Sequence, residues 1–146
     1  MFPELDVTGI THVIQLAIAP VFLLTAVGTI ISVLVNRLSR VVDRIRVLED
    51  RLHDKPPDDP NPIHGELALL GRRLRLIYLA VTCDVFCALF VGMLIIAAFV
   101  NAFIGANLTR VISALFVLAM IAFIAALVVF LREIYLAVSS TRHTMQ

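Results

Sequence analysis

A row of polar side chains runs through the first apolar stretch of the sequence at alternating intervals of four and three residues. On a helix, these intervals place every member on one face. We call this row the polar stripe; its members are Thr25, Thr29, Ser32, Asn36, Ser39 and Asp43. Continued toward the N-terminus, the same face carries Phe22, Ile18 and Gln15, so two apolar turns interrupt the polar character of this face.

The polar stripe has two interpretations. In an oligomer, this face could line a water-filled path in which Ile18 and Phe22 form a hydrophobic constriction, and such constrictions gate pores by dewetting. Alternatively, the small hydroxyl side chains allow neighbouring helices to approach closely and to exchange hydrogen bonds. The sequence alone leaves both alternatives open.

A second candidate for chemistry is Asp84, the only carboxylate within the three apolar stretches defined below. Ionisable residues inside a membrane are costly and usually face the interior of a helix bundle or a cavity. Counting from Leu74 through Ile77 and Val81 by three and four reaches Asp84, so its phase supports this inward position. One role for Asp84 is to bind a proton or a cation. The other is to act as a buried hydrogen-bonding group, paired with Thr82, with the polar stripe or with an arginine that reaches inward from the membrane edge.

Cys83 and Cys87 lie one helical turn apart beside Asp84 and superficially resemble a metal site. A structural zinc ion needs about four nitrogen or sulfur ligands, whereas all four histidines lie outside the apolar stretches. We therefore expect the two thiols to act as small apolar fillers and predict neither a metal site nor a cofactor.

Two further groups of residues have structural roles with functional alternatives. Pro20 removes a helix hydrogen bond and Gly28 follows two turns later, so this pair predicts a kink that could serve as a hinge. Arg37, Arg40 and Arg44 follow the first apolar stretch, where they would orient the protein and contact anionic lipid headgroups.

The elements that position these residues are apolar helices. Of the 146 residues, 60% belong to the set AVILMFWYC, whereas roughly 45–50% is usual for a soluble domain. A membrane-spanning helix needs about 20 apolar residues, and three stretches are long enough: 13–35, 77–100 and 111–131. The sequence therefore predicts an all-α membrane protein with three transmembrane helices.

The segment between the first two spans, residues 36–76, predicts a helical hairpin. Its apolar residues recur at intervals of three and four, which is a heptad pattern. They are Leu38, Val41, Ile45, Leu48 and Leu52 on the first arm and Leu67, Leu70, Leu74 and Ile77 on the second. Residues 54–62 contain four of the six prolines and predict the turn, so the first two transmembrane helices would extend into an antiparallel pair.

The basic residues predict the orientation. Nine of the twelve lysines and arginines fall between the first and second spans, so the positive-inside rule places the hairpin in the cytoplasm. The tail 1–12 and the loop 101–110 would then lie outside, and the tail 132–146 inside. Because the charges nearly balance, nothing indicates a nucleic-acid partner.

Three segments resemble a family of small bacterial membrane proteins classed as a domain of unknown function. They are Ala19–Leu24, Asn36–Arg44 and Glu66–Arg73, within a resemblance that covers about residues 12–100. The resemblance implies a protein of the bacterial inner membrane. It carries over no catalytic or binding residues.

These observations favour a homo-oligomeric membrane protein with an ion pathway along the first helix. The alternative is a membrane scaffold or accessory subunit whose hairpin docks a protein partner. The sequence contains no phosphate-binding glycine loop, no positioned pair of nucleophile and base, and no metalloprotease motif. We therefore expect no enzymatic activity and no catalytic residue, and we expect membrane lipids and further copies of the chain as partners.

Overall fold

A computed structural model describes residues 7–54, 61–105 and 107–142, and within these ranges every regular element is an α-helix. Helix α1 is Val7–Asp54, α2 is Asn61–Ile104 and α3 is Thr109–Arg142. All three are long and apolar enough to cross a membrane, by length and composition. The predicted fold class is thereby confirmed in its coarse form.

Helices α1 and α2 continue well beyond their apolar stretches, at 48 and 44 residues. Helix α1 therefore continues without a break past residue 35, the predicted end of its apolar stretch, while the pairing of the two arms as a hairpin stays a prediction. Most of the proline-rich turn, residues 55–60, lies outside the described residues. Helix α3 also continues past Leu131, the predicted end of the third span, and ends at Arg142.

The connection between α2 and α3 is organised by Gly105 and Asn101. Gly105 has a φ of +65°, a left-handed conformation that glycine adopts without steric cost at a helix end. Its N–H donates to the Asn101 carbonyl at 3.1 Å. The Leu108 N–H donates to the Asn101 side-chain oxygen at 3.0 Å, so one residue satisfies both backbone donors.

The buried residues of each helix follow a seven-residue repeat. We call the buried face of α1 its inner seam; it consists of Pro20, Val27, Leu34, Val41 and Leu48. On α2 the buried positions are Leu70, Ile77, Ala80, Asp84, Cys87, Val91 and Leu94, and on α3 they are Ala119, Ala126 and Glu133. Such a repeat keeps one face of a long helix toward its neighbours. Every residue of the predicted heptad pattern is buried or half-buried.

The chain divides into two compact units, each built from parts of all three helices. Among the described residues, the first unit comprises 7–30, 83–105 and 107–124, and the second comprises 31–54, 61–82 and 125–142. Asp84 belongs to the first unit, and the charged groups described next belong to the second.

Candidate functional site

The second unit contains a buried carboxylate, Glu133 on α3, whose side chain is fully buried. The Nε and Nη2 groups of Arg73, on α2, both donate to Glu133 Oε1, at 3.2 and 3.0 Å. Nη1 of Arg37, on α1, lies 3.2 Å from Oε2. One carboxylate is therefore ion-paired with arginines from two other helices. We call these three residues the Glu133 cluster.

The two arginines of the Glu133 cluster differ in their contacts. Arg73 makes two hydrogen bonds to Oε1, whereas Arg37 lies at ion-pairing distance from Oε2, an oxygen that accepts no hydrogen bond from the described residues. The Arg37 guanidinium also lies 5.4 Å from the centre of the Phe130 ring, a cation–π distance. The arginine side chains keep 29% and 20% of their surface exposed, so the cluster joins a buried anion to two half-buried cations.

Sequence reasoning missed Glu133, because ending the third span at Leu131 placed Glu133 in a polar tail. The signal that could have found it is the seven-residue interval from Ala119 to Ala126 to Glu133. That interval puts the carboxylate on the small-residue face of α3, which the structure buries. A charge in phase with a buried face is expected to face the interior of the helix bundle, where a partner or a cavity receives it.

The arginines predicted to bind lipid headgroups occupy different surroundings. Arg37 belongs to the Glu133 cluster, and Arg44 pairs with Glu66 on α2 at 2.8 Å in an exposed position. Arg40 is exposed. Headgroup binding by these three residues stays a prediction.

Asp84 is the contrasting carboxylate of the first unit. It is fully buried, on the same repeat as Ile77 and Val91, which is the phase that its sequence position predicts. Within the described residues, neither of its side-chain oxygens has a hydrogen-bond partner. The hydroxyl of Thr82, one of the partners considered above, donates instead to the Tyr78 carbonyl at 2.8 Å.

The two cysteines flank Asp84 as expected from their spacing. Cys83 is half-buried, Cys87 is fully buried, and both are free thiols. The described residues contain no group of three or more His, Cys, Asp or Glu side chains placed to hold a metal ion.

The polar stripe and its N-terminal continuation lie on the outer surface of the chain. All nine residues, Gln15, Ile18, Phe22, Thr25, Thr29, Ser32, Asn36, Ser39 and Asp43, are exposed. With 3.6 residues per turn, each residue of this face from Phe22 to Asp43 lies about 140° or about 200° around the helix from the inner-seam residue that precedes it. The stripe therefore faces away from the residues that pack α1 into the protein.

Three stripe hydroxyls are bonded to their own helix. Thr25, Thr29 and Ser39 each donate to the carbonyl four residues earlier, at 3.3, 2.9 and 3.1 Å. Such bonds satisfy a hydroxyl without water or a neighbouring chain. The stripe thus remains polar through its oxygen lone pairs and through Asn36 and Asp43.

The two predicted hinge residues of α1 differ in burial. Pro20 is buried on the inner seam, while Gly28 is exposed, and α1 continues through both. A hinge at these residues stays a prediction.

Three long apolar helices, with charges held at buried and half-buried positions, fit a multi-pass membrane protein. The chain belongs to DUF2721, a family of proteins of unknown function, whose family model covers residues 17–143. The match extends beyond the segments that carried the resemblance and includes α3 with Glu133. Neither a curated protein nor a solved structure matches the chain.

Proposed function

We propose that this membrane protein assembles as a homo-oligomer around α1, with the polar stripe facing a common axis and lining an ion pathway. The observation that carries the proposal is the exposure of all nine residues of that face. A polar row used to pack α1 against α2 and α3 would be buried, whereas the side chains of this row are exposed and can face further copies of the chain. Phe22, with 72% of its surface exposed, and Ile18 would form the constriction.

The proposal includes an orientation in a bacterial inner membrane. Residues 36–76 form a cytoplasmic antiparallel hairpin, with the N-terminus outside and the C-terminus inside. The support is the concentration of nine of the twelve basic residues between the first two spans. Arg37, Arg40 and Arg44 contact lipid headgroups at the inner edge.

A non-conducting scaffold is the second candidate, and a specific observation favours it. Because Thr25, Thr29 and Ser39 satisfy their hydroxyls on their own helix, the stripe can contact a neighbouring helix without water. Its small residues would then form a contact between helices. In this case the hairpin docks a protein partner and the protein moves no ions.

Cysteine scanning separates the two candidates. In a background without Cys83 and Cys87, single cysteines at Thr25, Thr29, Ser32 and Asn36 are treated with a hydrophilic thiol reagent in membranes. Matched controls are Val33 and Val35, which are exposed but lie off the stripe, and Val27, which is buried on the inner seam. The pathway predicts reaction at the stripe positions and none at the controls.

Two results would contradict the pathway. Equal reaction at the stripe and at Val33 and Val35 would mean that exposure alone controls access. No reaction at any position, in an oligomer shown to be intact by crosslinking, would mean that the stripe is packed against protein, as the scaffold requires. Orientation is tested separately with cysteines at Thr8 and Asp58, which should label from the outside and the inside respectively.

A further inference from the structure

We propose that Asp84 is a binding site for an exchangeable proton inside the transmembrane part of α2. The carboxyl group is fully buried, and both of its oxygens lack hydrogen-bond partners among the described residues. Asp84 lies two turns inside its apolar stretch, where a charge without a partner is costly. Binding one proton to the carboxylate removes that charge.

Among the described residues of the first unit, no buried side chain offers Asp84 a counter-ion. Within the described part of the first unit, the other titratable side chains are His12, Cys83, Cys87 and Arg110. His12 and Arg110 are exposed, and a thiol supplies no positive charge. Cys87 and Val91, one and two turns further along the same face, are fully buried. Within the described part of the first unit, the carboxyl group therefore lies on an apolar face and has no buried cation to pair with it.

A proton fits these surroundings better than a metal ion does. Hard cations such as Ca²⁺ require six or more oxygen ligands, and the described residues hold no cluster of metal-ligating side chains. A proton needs one oxygen atom. The exchange is a simple proton transfer: one carboxylate oxygen takes one proton from a hydronium ion, which becomes water, to give the carboxylic acid, and the reverse step returns the proton to water.

This proton site is independent of the ion pathway proposed above. Asp84 lies on α2 and the polar stripe lies on α1, so either proposal can fail while the other stands. An apolar side chain at this position would serve packing alone. Asp84 gives the same face of α2 a proton-binding function.

Infrared spectroscopy of the purified protein in lipid vesicles tests the site directly. A protonated carboxyl group absorbs in a carbonyl band that is separate from the bands of a carboxylate. At neutral pH, the spectrum of the native protein minus that of Asp84→Asn should contain one protonated carboxyl band, and this band should shift when water is replaced by D₂O. The matched control is Glu66→Gln, an exposed carboxylate whose removal should affect carboxylate bands only.

Each outcome of this experiment either supports the proposal or overturns it. A band that is lost in Asp84→Asn and shifts in D₂O supports the proposal. A difference spectrum with carboxylate bands alone overturns it, and so does a band that does not shift, because the proton would then not exchange. Should Asp84→Asn fail to fold, Asp84→Glu replaces it, since the longer acid moves the band to a new frequency if the proton is bound at this position.

Discussion

The two units of the protein each bury one carboxylate completely, and they treat it in opposite ways. In the second unit, Glu133 meets Arg73 at 3.0 Å and Arg37 at 3.2 Å, so its charge is balanced by cations from two other helices. In the first unit, Asp84 is equally buried and has no partner among the described residues. The Glu133 charge is thus balanced within the chain, whereas a buried charge without a partner is costly, which is the basis of the proton site proposed at Asp84.

The largest effect is expected from Glu133→Gln, which removes the anion and leaves two half-buried guanidinium groups unbalanced. Breaking a buried ion pair from one side costs about 3–5 kcal/mol, and the partial exposure of both arginines favours the lower end of that range. Chemical denaturation in detergent measures the loss in free energy of unfolding. A loss below about 1 kcal/mol would show that the Glu133 cluster does not hold the helices together.

A smaller effect is expected from Arg73→Lys, which keeps the positive charge. Lysine cannot reproduce the two hydrogen bonds from Nε and Nη2 to Glu133 Oε1. Losing one hydrogen bond to a charged group costs about 1.5–3 kcal/mol, and the retained charge offsets part of this loss. The same denaturation assay should place Arg73→Lys between the native protein and Glu133→Gln. A variant as unstable as Glu133→Gln would mean that geometry matters more than charge.

Asp84→Asn makes the same carboxyl-to-amide change in the first unit. It should cost less than about 1 kcal/mol, because the Asp84 side chain has no hydrogen bond to lose among the described residues. Measuring Asp84→Asn and Glu133→Gln in one assay gives the difference between their losses in free energy of unfolding. A loss for Asp84→Asn as large as that for Glu133→Gln would show that Asp84 has a structural partner.

The smallest effect is expected from Glu66→Gln, which breaks the exposed pair with Arg44. Exposed pairs contribute about 0–1 kcal/mol and are screened by salt. The change in free energy of unfolding should be within this range at low salt and smaller still at high salt. A larger effect that persists at high salt would indicate that this pair is shielded from solvent.

Much of the fold was predictable, because helix length and the period of apolar residues are visible in the sequence. The repeat through Val41, Leu48, Leu70 and Ile77 indicated which faces are buried, and the phase of Asp84 indicated that it points inward. The Glu133 cluster was not predicted, since its arginines were assigned from their position beside a span and Glu133 from its position beyond one. Pairing between distant helices depends on their register, which the local pattern does not contain.

The most direct test of the proposed function is ion flux through the reconstituted protein. Native protein and two variants, Phe22→Ser and Val21→Ser, are placed in sealed vesicles at equal oligomer content. Both residues are exposed, but Phe22 lies on the polar stripe's face and Val21 does not. Because dewetting depends on an apolar lining, the pathway predicts that Phe22→Ser raises the flux above the native level while Val21→Ser leaves it unchanged. Flux at the level of empty vesicles for the native protein and for Phe22→Ser, in an intact oligomer, would contradict the ion pathway and leave the scaffold.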